Sequence, residues 1–369
     1  MRHTLTVPKI HLSYQWLPDA DSRASSASPL HHPLMDLLQD VRDSGSISMD
    51  AKALGLSYRH VWGELKRWEQ SLSEPLIIWE KGQAARLTEF ADKLLWAERQ
   101  AQARLAPQIS ALQAELEKTF ALAFDPDSHV LTLYASHDDA LVRLREHAAS
   151  RGLHVDIRFC GSVDAIRALN EGRCIVAGFH APIQPSAQSL VARTYRPLLK
   201  TGQHKLIGFA LREQGLMVPA GNPLGLQNLS DLMRPGLRMV NRSLGTGTRL
   251  LLDEWLQASE VDPRHLMGYA REESSHAAVA ACIAAGEADA GLGIASAARA
   301  QKLDFIPLMQ EQYWLVCLKS ALENPAVQQL QQLLLDTQWQ QQLQQLTGYR
   351  VDAQSGRVQS LKRCLPWWA

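Results

Sequence analysis

The chain has 369 residues, 46% hydrophobic and 21% charged, with 38 Lys plus Arg against 38 Asp plus Glu and a formal net charge of zero. That length predicts two or three domains with ordinary buried cores. The zero balance excludes a global basic field, so contact with nucleic acid would need a local positive face. Five cysteines (Cys160, Cys174, Cys282, Cys317, Cys364) are scattered without a C-x-x-C pair, which argues against a metal cluster or a disulfide framework. No apolar signal core opens the chain, and the alanine-rich run near 277–300 is broken by Glu287, Asp289 and Arg299. A soluble cytoplasmic chain with no membrane partner is therefore expected.

Residues 1–30 form an N-terminal tail that offers one candidate strand, Leu5 to Trp16, and a polar Ser/Ala-rich stretch. Pro33 to Arg42 reads as a helix with Leu34, Leu37, Leu38 and Val41 on its buried side. Ser48 and Ser57 are good N-caps, because a serine oxygen accepts a free backbone N–H of the first helical turn. Between them lie a short helical piece and Leu54-Gly55-Leu56, where glycine supplies the tight turn of a helix-turn-helix. In the second helix Val61, Leu65 and Leu72 face one way, and Tyr58, Arg59, Trp62 and Lys66 another. That second face suits a DNA major groove, with Arg59 for guanine edges or phosphate, Lys66 for phosphate, and Tyr58 and Trp62 for apolar contact. Leu76 to Glu80 reads as a strand, Lys81-Gly82-Gln83 as a turn and Ala84 to Leu87 as a return strand, with Thr88 capping the next helix. Helix-turn-helix followed by a hairpin is a winged helix over 31–87, with Ser57 at the recognition-helix start and Lys81 and Arg86 placed to touch the DNA backbone.

From Thr88 to about residue 122 the helical pattern continues through Phe90, Leu94, Leu95, Ala101, Leu105, Ile109, Leu112 and Leu116. A small winged helix cannot cover so long an apolar stripe, which predicts a homodimer packed along it, with pairing into a tetramer left open. Pro107 should kink or interrupt this helix, and Asp125-Pro126-Asp127 should follow it as a linker.

The texture then changes to strands alternating with helices over 126–369, the signature of a parallel α/β sheet. Strands are expected at Val130–Tyr134, Val155–Phe159 and Ile175–Gly178, with helices opening at Ser136-His137-Asp138 and Gly161-Ser162. Ligands of such sheets lie beyond the carboxyl ends of strands, so Ser136, His137, Ser162 and His180 should meet at one rim. Leu206–Ala210 and Leu216–Val218 read as two extended segments leading to a second lobe over about 222–305; the first lobe takes about 126–215 and 306–369. In the second lobe Leu237–Val240 precedes the loop Asn241-Arg242-Ser243-Leu244-Gly245-Thr246-Gly247-Thr248-Arg249. There, glycines allow close backbone approach, Thr246 and Thr248 add donors, the helix start at Gly247 favours negative charge, and Arg249 adds a cation. A tight structural turn capped by a surface arginine would look the same. Glu273-Ser274-Ser275-His276 opens another helix, which adds Ser274 and His276 to the candidate ligand site. Gly268-Tyr269-Ala270 reads as strand-like, and Ala288–Ile294, Phe305–Leu308 and Tyr313–Leu318 as strands. Pro325 to Leu346 reads as one glutamine-rich helix, and the tail through Trp367-Trp368 as a packed anchor.

Two resemblances follow. The run Gly45-Ser46-Ile47-Ser48 through Ser57-Tyr58-Arg59-His60-Val61-Trp62, with Arg86-Leu87-Thr88 after the wing, resembles the DNA-binding half of ModE-type molybdate-responsive regulators, a layout shared with the LysR family. The Asn241–Arg249 loop, with Gly215-Leu216 and Gly221-Asn222-Pro223, is similar to the type II periplasmic-binding-protein-like domain of molybdopterin-related proteins and tungstate or molybdate binders. The chain departs from the ModE pattern, in which small β-barrel oxyanion modules follow the winged helix. Together the resemblances imply an α/β protein with an α-rich head: a one-component regulator of double-stranded DNA operators with no cofactor. Its effector would be a small anion tied to molybdenum metabolism, namely molybdate, tungstate or a molybdopterin-type compound, or a carboxylate such as formate.

Rival readings are an anion-binding protein acting by protein contact and a small-molecule hydrolase. The adjacent Ser136, His137 and Asp138 cannot form a catalytic triad, whose members meet from separate segments. No G-x-S-x-G elbow, metal-ligand spacing or nucleotide P-loop is present, so no catalytic residue is expected.

Overall fold

A computed structural model describes residues 32–46, 57–80, 84–124, 129–183 and 186–368. The tail, the first helix and Gly55 turn of the helix-turn-helix, Lys81 with the wing tip, and the Asp125-Pro126-Asp127 linker lie outside the described residues. The chain divides between Gln102 and Ala103 into two compact units.

In the first unit, α1 (Pro33–Ser44) starts with Pro33 at its first position, and the His32 ring accepts the Leu34 N–H at 3.2 Å. It stops at Gly45, whose left-handed φ of 65° lets its N–H reach the Val41 carbonyl at 2.9 Å. Helix α2 (Tyr58–Leu72) is capped as expected: the Ser57 hydroxyl accepts the His60 N–H at 3.2 Å. Strands β1 (Ile77–Ile78) and β2 (Arg86–Leu87) pair antiparallel. Leu34, Leu37, Leu38 and Val41 of α1, at helical spacing, bury against Val61 and Leu65 of α2, Ile77, Leu87 and the start of the next helix. Each such side chain contributes about 1.5–3 kcal/mol by leaving water.

Helix α3 (Glu89–Phe124) is opened by Thr88, whose hydroxyl accepts the Ala91 N–H and donates to the Pro75 carbonyl. Pro107 lies inside it and does not end it, although an interior proline removes one backbone hydrogen bond and crowds the carbonyl one turn earlier. Its apolar stripe has divided duties. Leu95 sits in the head core, Ala103 and Ala114 are buried, and Leu112 and Leu116 are exposed.

The second unit is built on one mixed sheet rather than a parallel one. Strands β3 (His129–Ala135), β4 (Leu153–Phe159) and β5 (Val176–Pro182) are parallel and carry α4 (Asp139–Ala149) and α5 (Ser162–Asn170), with the short α6 (Leu190–Tyr195) after β5. The segments expected as separate pieces are two continuous strands of 15 residues, β6 (His204–Val218) and β10 (Asp304–Leu318), antiparallel to each other. Polar residues near their middles, such as Arg212 and Glu311, read as breaks in sequence; they are buried strand residues. Beyond β6 lie the parallel strands β7 (Met239–Arg242), β8 (Glu272–Glu273) and β9 (Ala290–Ile294), with α7 (Gly247–Ala258), α8 (His276–Ala284) and α9 (Ala295–Ala300). Two lobes thus share the long strands β6 and β10. Gly268-Tyr269-Ala270 is not a strand. The glutamine-rich helix is two, α10 (Pro325–Leu335) and α11 (Thr337–Gln344), because Asp336 leaves the helical backbone to cap the second. Trp367 is packed as an anchor. Among the described residues no helix is long and apolar enough to cross a membrane, and no cluster of three or more metal-ligating side chains occurs.

Candidate functional site

The second unit's buried polar residues concentrate where the two lobes meet. Asp138 caps α4, its Oδ1 accepting the Ala140 N–H at 2.9 Å. Its Oδ2 accepts from Arg212 Nη1 at 2.6 Å and from the Tyr349 hydroxyl at 2.9 Å. Arg212 also donates through Nη2 and Nε to Glu311 Oε2, at 2.7 and 3.2 Å. Burial alone would raise the Asp138 carboxyl, but the His180 imidazole, the Arg212 charge and the Tyr349 hydroxyl hold it well below the usual carboxylate range. Arg212 is likewise penalised by burial and more than restored by Glu311 and Asp138. One guanidinium between two carboxylates leaves this knot with one net negative charge.

Arg242, at the end of β7, differs. It is 1% exposed, and Nη1 donates to the main-chain carbonyl of Glu273 at 2.8 Å. No ion pair holds it among the described residues, and its Nε has no hydrogen-bond partner there. Burial, and then repulsion from Arg212, pulls its guanidinium down to about 9, with the Glu273 carboxylate opposing that shift only in part.

Three histidines surround the two arginines. His276, the first residue of α8, is 4% exposed with an unpartnered Nδ1. Burial, then the charges of Arg242, Arg212, His180 and His137, sets its proton affinity well below the usual histidine value. His180 lies against the Tyr313 ring at 3.8 Å between centroids, and burial and Arg212 hold its proton affinity below the usual histidine value; His137, packed on Phe159 at 4.8 Å, is lowered chiefly by burial. The Tyr313 hydroxyl and Gln214 Oε1 are also buried without hydrogen-bond partners among the described residues, and His180 Nε2 reaches only to 3.8 Å from Asp138 Oδ2. Orphaned polar groups each cost about 1–3 kcal/mol, so this many in one place marks a site shaped for something else to satisfy them.

Close backbone contact joins the lobes here. The Val163 N–H donates to the Gly245 carbonyl at 3.3 Å, and a Cβ on Gly161 would lie 3.0 Å from that same oxygen. A Cβ on Gly247 would lie 3.2 Å from His180 Cβ. The starts of α4, α5, α7 and α8 therefore converge on Arg242 and the histidines, each adding its partial positive charge.

The residues expected from sequence divide accordingly. Ser136 and Ser162 are buried with hydroxyls 3.5 Å apart, and His137, His180 and His276 join the cluster. Thr248 accepts a hydrogen bond from the Gln214 side chain. Thr246 serves as the N-cap of α7, and Gly247 is that helix's first residue. Arg249 turns away. Its Nε donates to Asp253 at 3.0 and 3.1 Å, its Nη1 to Glu272 at 2.8 Å, and the guanidinium lies 4.2 Å from the Tyr269 ring. Ser274 is exposed, and the cap of α8 is Ser275, whose hydroxyl accepts the Ala278 N–H. Sequence reasoning passed over Arg212, Gln214, Glu311 and Tyr349, and treated Arg242 only as part of a loop. The available signal was an arginine and a glutamine alternating inside an otherwise apolar strand.

On the head, Tyr58 and Trp62 are 48% and 42% exposed, and Arg59 is exposed with no ion pair among the described residues. Lys66, expected to meet phosphate, pairs with Glu69 at 2.6 Å, and Arg86 lies 3.5 Å from Glu80. Both remain on the surface, but each already has a counter-charge.

Residues 144–335 match the family model described as the PBP superfamily domain. The fold and the interlobe cluster are those of a two-lobed α/β binding domain, and the chain belongs to this family. The uncharacterized protein YvgK of Bacillus subtilis (strain 168) is 31% identical over 250 residues, covering 67% of this chain and 79% of that protein. An uncharacterized protein encoded in the 5′ region of a ferredoxin 2Fe-2S gene of Clostridium pasteurianum is 34% identical over 110 residues, 30% of this chain and 96% of its own length. Among solved structures, an OxyR variant from Pseudomonas aeruginosa aligns over 81% of this chain and 97% of its own, with a TM-score of 0.40 and 14% identity. CbnR bound to its target DNA aligns over 79% and 93%, with a TM-score of 0.34 and 15% identity.

Proposed function

We propose that this protein is a DNA-binding transcriptional regulator whose two-lobed domain senses a small anion. The observation that carries the sensing half is Arg242, a fully buried guanidinium with no ion-pair partner among the described residues, at the meeting point of four helix starts. An anion there would supply the missing counter-charge and satisfy Arg242 Nε and His276 Nδ1. Molybdate, tungstate, a molybdopterin-type compound and formate all fit that chemistry. The exposed Tyr58–Arg59–Trp62 face of α2, ahead of a short hairpin, supports the DNA-binding half. A dimer, or a tetramer built from dimers, would present two such faces to a two-fold operator, and no catalytic step is part of this reading.

Calorimetry on the full chain with molybdate, tungstate and formate, for wild type and Arg242→Gln, tests the sensing half. Saturable binding that the substitution removes supports it; wild-type binding of none of the three overturns the assignment of the anion class. A gel shift on the protein's own upstream DNA tests the other half, and binding of an anion without any DNA shift would favour action through protein contact.

A further inference from the structure

The sensor-side stretch of α3, from Ala103 to Lys118, grips both lobes of its own chain. On the second lobe, Arg104 donates to both carboxylate oxygens of Glu273, through Nη2 at 2.6 Å and Nε at 3.1 Å. The Ser275 hydroxyl donates to the Ala103 carbonyl at 3.1 Å, and Ala103 packs on Ala278 and Ala281 of α8. On the first lobe, Arg145 Nη1 donates to the Ser110 carbonyl at 2.7 Å, and Lys118 Nζ to Asp156 Oδ2 at 3.1 Å. Both carboxylates in these pairs are buried, Glu273 at 6% and Asp156 at 3% exposed. At about 1.5 Å per residue, the two ion pairs stand roughly 21 Å apart along one rigid helix.

We infer that residues 103–118 of α3 form a strap that holds the two lobes closed, with Arg104 acting as a positioning residue for Arg242. The second part follows from Glu273, which holds two guanidiniums with different groups. Its carboxylate takes Arg104, and its main-chain carbonyl takes Arg242 Nη1 at 2.8 Å and the Ser243 hydroxyl at 3.3 Å. Moving the helix moves Glu273, and with it the seat of Arg242. The first part follows from geometry and burial. If the lobes swing apart, a rigid helix cannot keep its grip on both, and a buried carboxylate that loses its cation is strongly disfavoured. Lobe opening and release of the helix are then one equilibrium, which an anion between the lobes would bias toward the closed, strapped state. The positioning role rests on reading the Arg242 cluster as the ligand site; the strap does not.

The Val163 amide, which bridges the lobes to Gly245 at 3.3 Å, reports closure directly and without any ligand. Residue-resolved hydrogen exchange on the full chain should show Arg104→Gln and Lys118→Gln each raising exchange at Val163 about tenfold or more. Arg104→Lys should fall between Arg104→Gln and wild type, and the Leu133 amide in the first-lobe core should stay slow in all three. Exchange that rises only around Glu273–Ala278 and leaves Val163 unchanged in both Gln variants would mean that these pairs are local, and would overturn the strap. Should one Gln variant unfold, so that Leu133 also exchanges fast, the other and Arg104→Lys decide. Titration with sodium molybdate then tests the positioning role, with Arg104→Gln expected to weaken binding about tenfold and an unchanged affinity refuting it. If wild type binds none of molybdate, tungstate and formate, the functional reading and the positioning role fail, while the Val163 measurement still judges the strap; an anion of the three that does bind takes molybdate's place in the Arg104→Gln titration.

Discussion

Arg212 and Arg242 are buried within the same cluster, close enough that Arg212 disfavours the charge on Arg242, yet among the described residues only Arg212 is met by carboxylates. This asymmetry separates the cation that builds the site from the cation that the site offers. It also separates the effects of removing them.

Arg212→Gln would leave Asp138 and Glu311 buried as uncompensated anions. A loss of about 3–5 kcal/mol in unfolding free energy is expected. Arg242→Gln removes a buried charge that has no ion pair among the described residues, and glutamine can still donate to the Glu273 carbonyl, so urea denaturation should show stability unchanged or slightly increased. Anion affinity should fall by about 1.5–3 kcal/mol, the worth of a hydrogen bond to a charged group. Equal destabilisation by the two substitutions would show that Arg242 is structural.

Arg249→Ala has the opposite profile. Its guanidinium ties α7 to Asp253 and Glu272 and stacks on Tyr269. Stability should drop by about 1–3 kcal/mol, with charged hydrogen bonds and packing lost together. Calorimetric anion affinity should stay within about threefold of wild type. A large affinity loss with unchanged stability would return Arg249 to the ligand site.

How far the sequence was legible follows from these two arginines. Helix caps and apolar periodicity located α1, α2, the start of α3 and the parallel strands β3, β4 and β5, because those signals are local. The helix start after β7 was equally visible. Which arginine of that loop faces inward was not, because Arg242 and Arg249 are seven residues apart on opposite sides of a strand-to-helix turn. Their directions are fixed by Glu273 and Asp253, partners supplied by packing. Arg212 and Glu311 were hidden for a related reason. Charged residues within a strand look like a break until the sheet shows them answering each other across neighbouring strands, where they stand directly opposite.

The site's titration should appear in stability. His276, His180 and His137 have folded values below their unfolded value near 6.5, so below that pH the unfolded chain binds more protons and stability falls. Asp138, also depressed, adds a second loss as pH drops below its unfolded value of about 4. A bound anion opposes the local positive field and raises the histidines toward their ordinary value, so binding should take up protons and tighten as pH falls toward and below about 6.5. Calorimetry in buffers of different ionisation heat would measure that uptake, and proton release on binding would contradict it.

On the head, Arg59→Ala should lower operator affinity by about 1–3 kcal/mol and reduce the salt dependence of binding, with oligomeric state by sedimentation unchanged. Lys66→Ala should do less, because Lys66 is already paired with Glu69. If the two are equal, the contact is general backbone charge rather than a specific reading by Arg59.

Gly161→Ala tests the lobe contact itself. The added Cβ would stand 3.0 Å from the Gly245 carbonyl oxygen and 3.1 Å from its carbon, both backbone atoms unable to rotate aside. The backbone at Gly161 has an ordinary negative φ of −62°, so alanine is not strained locally and its effect comes through the contact alone. The variant should fold with nearly wild-type stability, because the contact lies between lobes rather than within either core. Anion affinity should fall about tenfold as the lobes are wedged apart, and the Val163 amide should exchange faster. Gly172→Ala is the contrasting control: a Cβ there meets nothing within 4 Å, but its φ of 72° strains any side chain. That substitution should cost about 1 kcal/mol of stability or more without touching affinity. An affinity loss in both variants would point to general loosening of the domain instead of a lobe contact that controls binding.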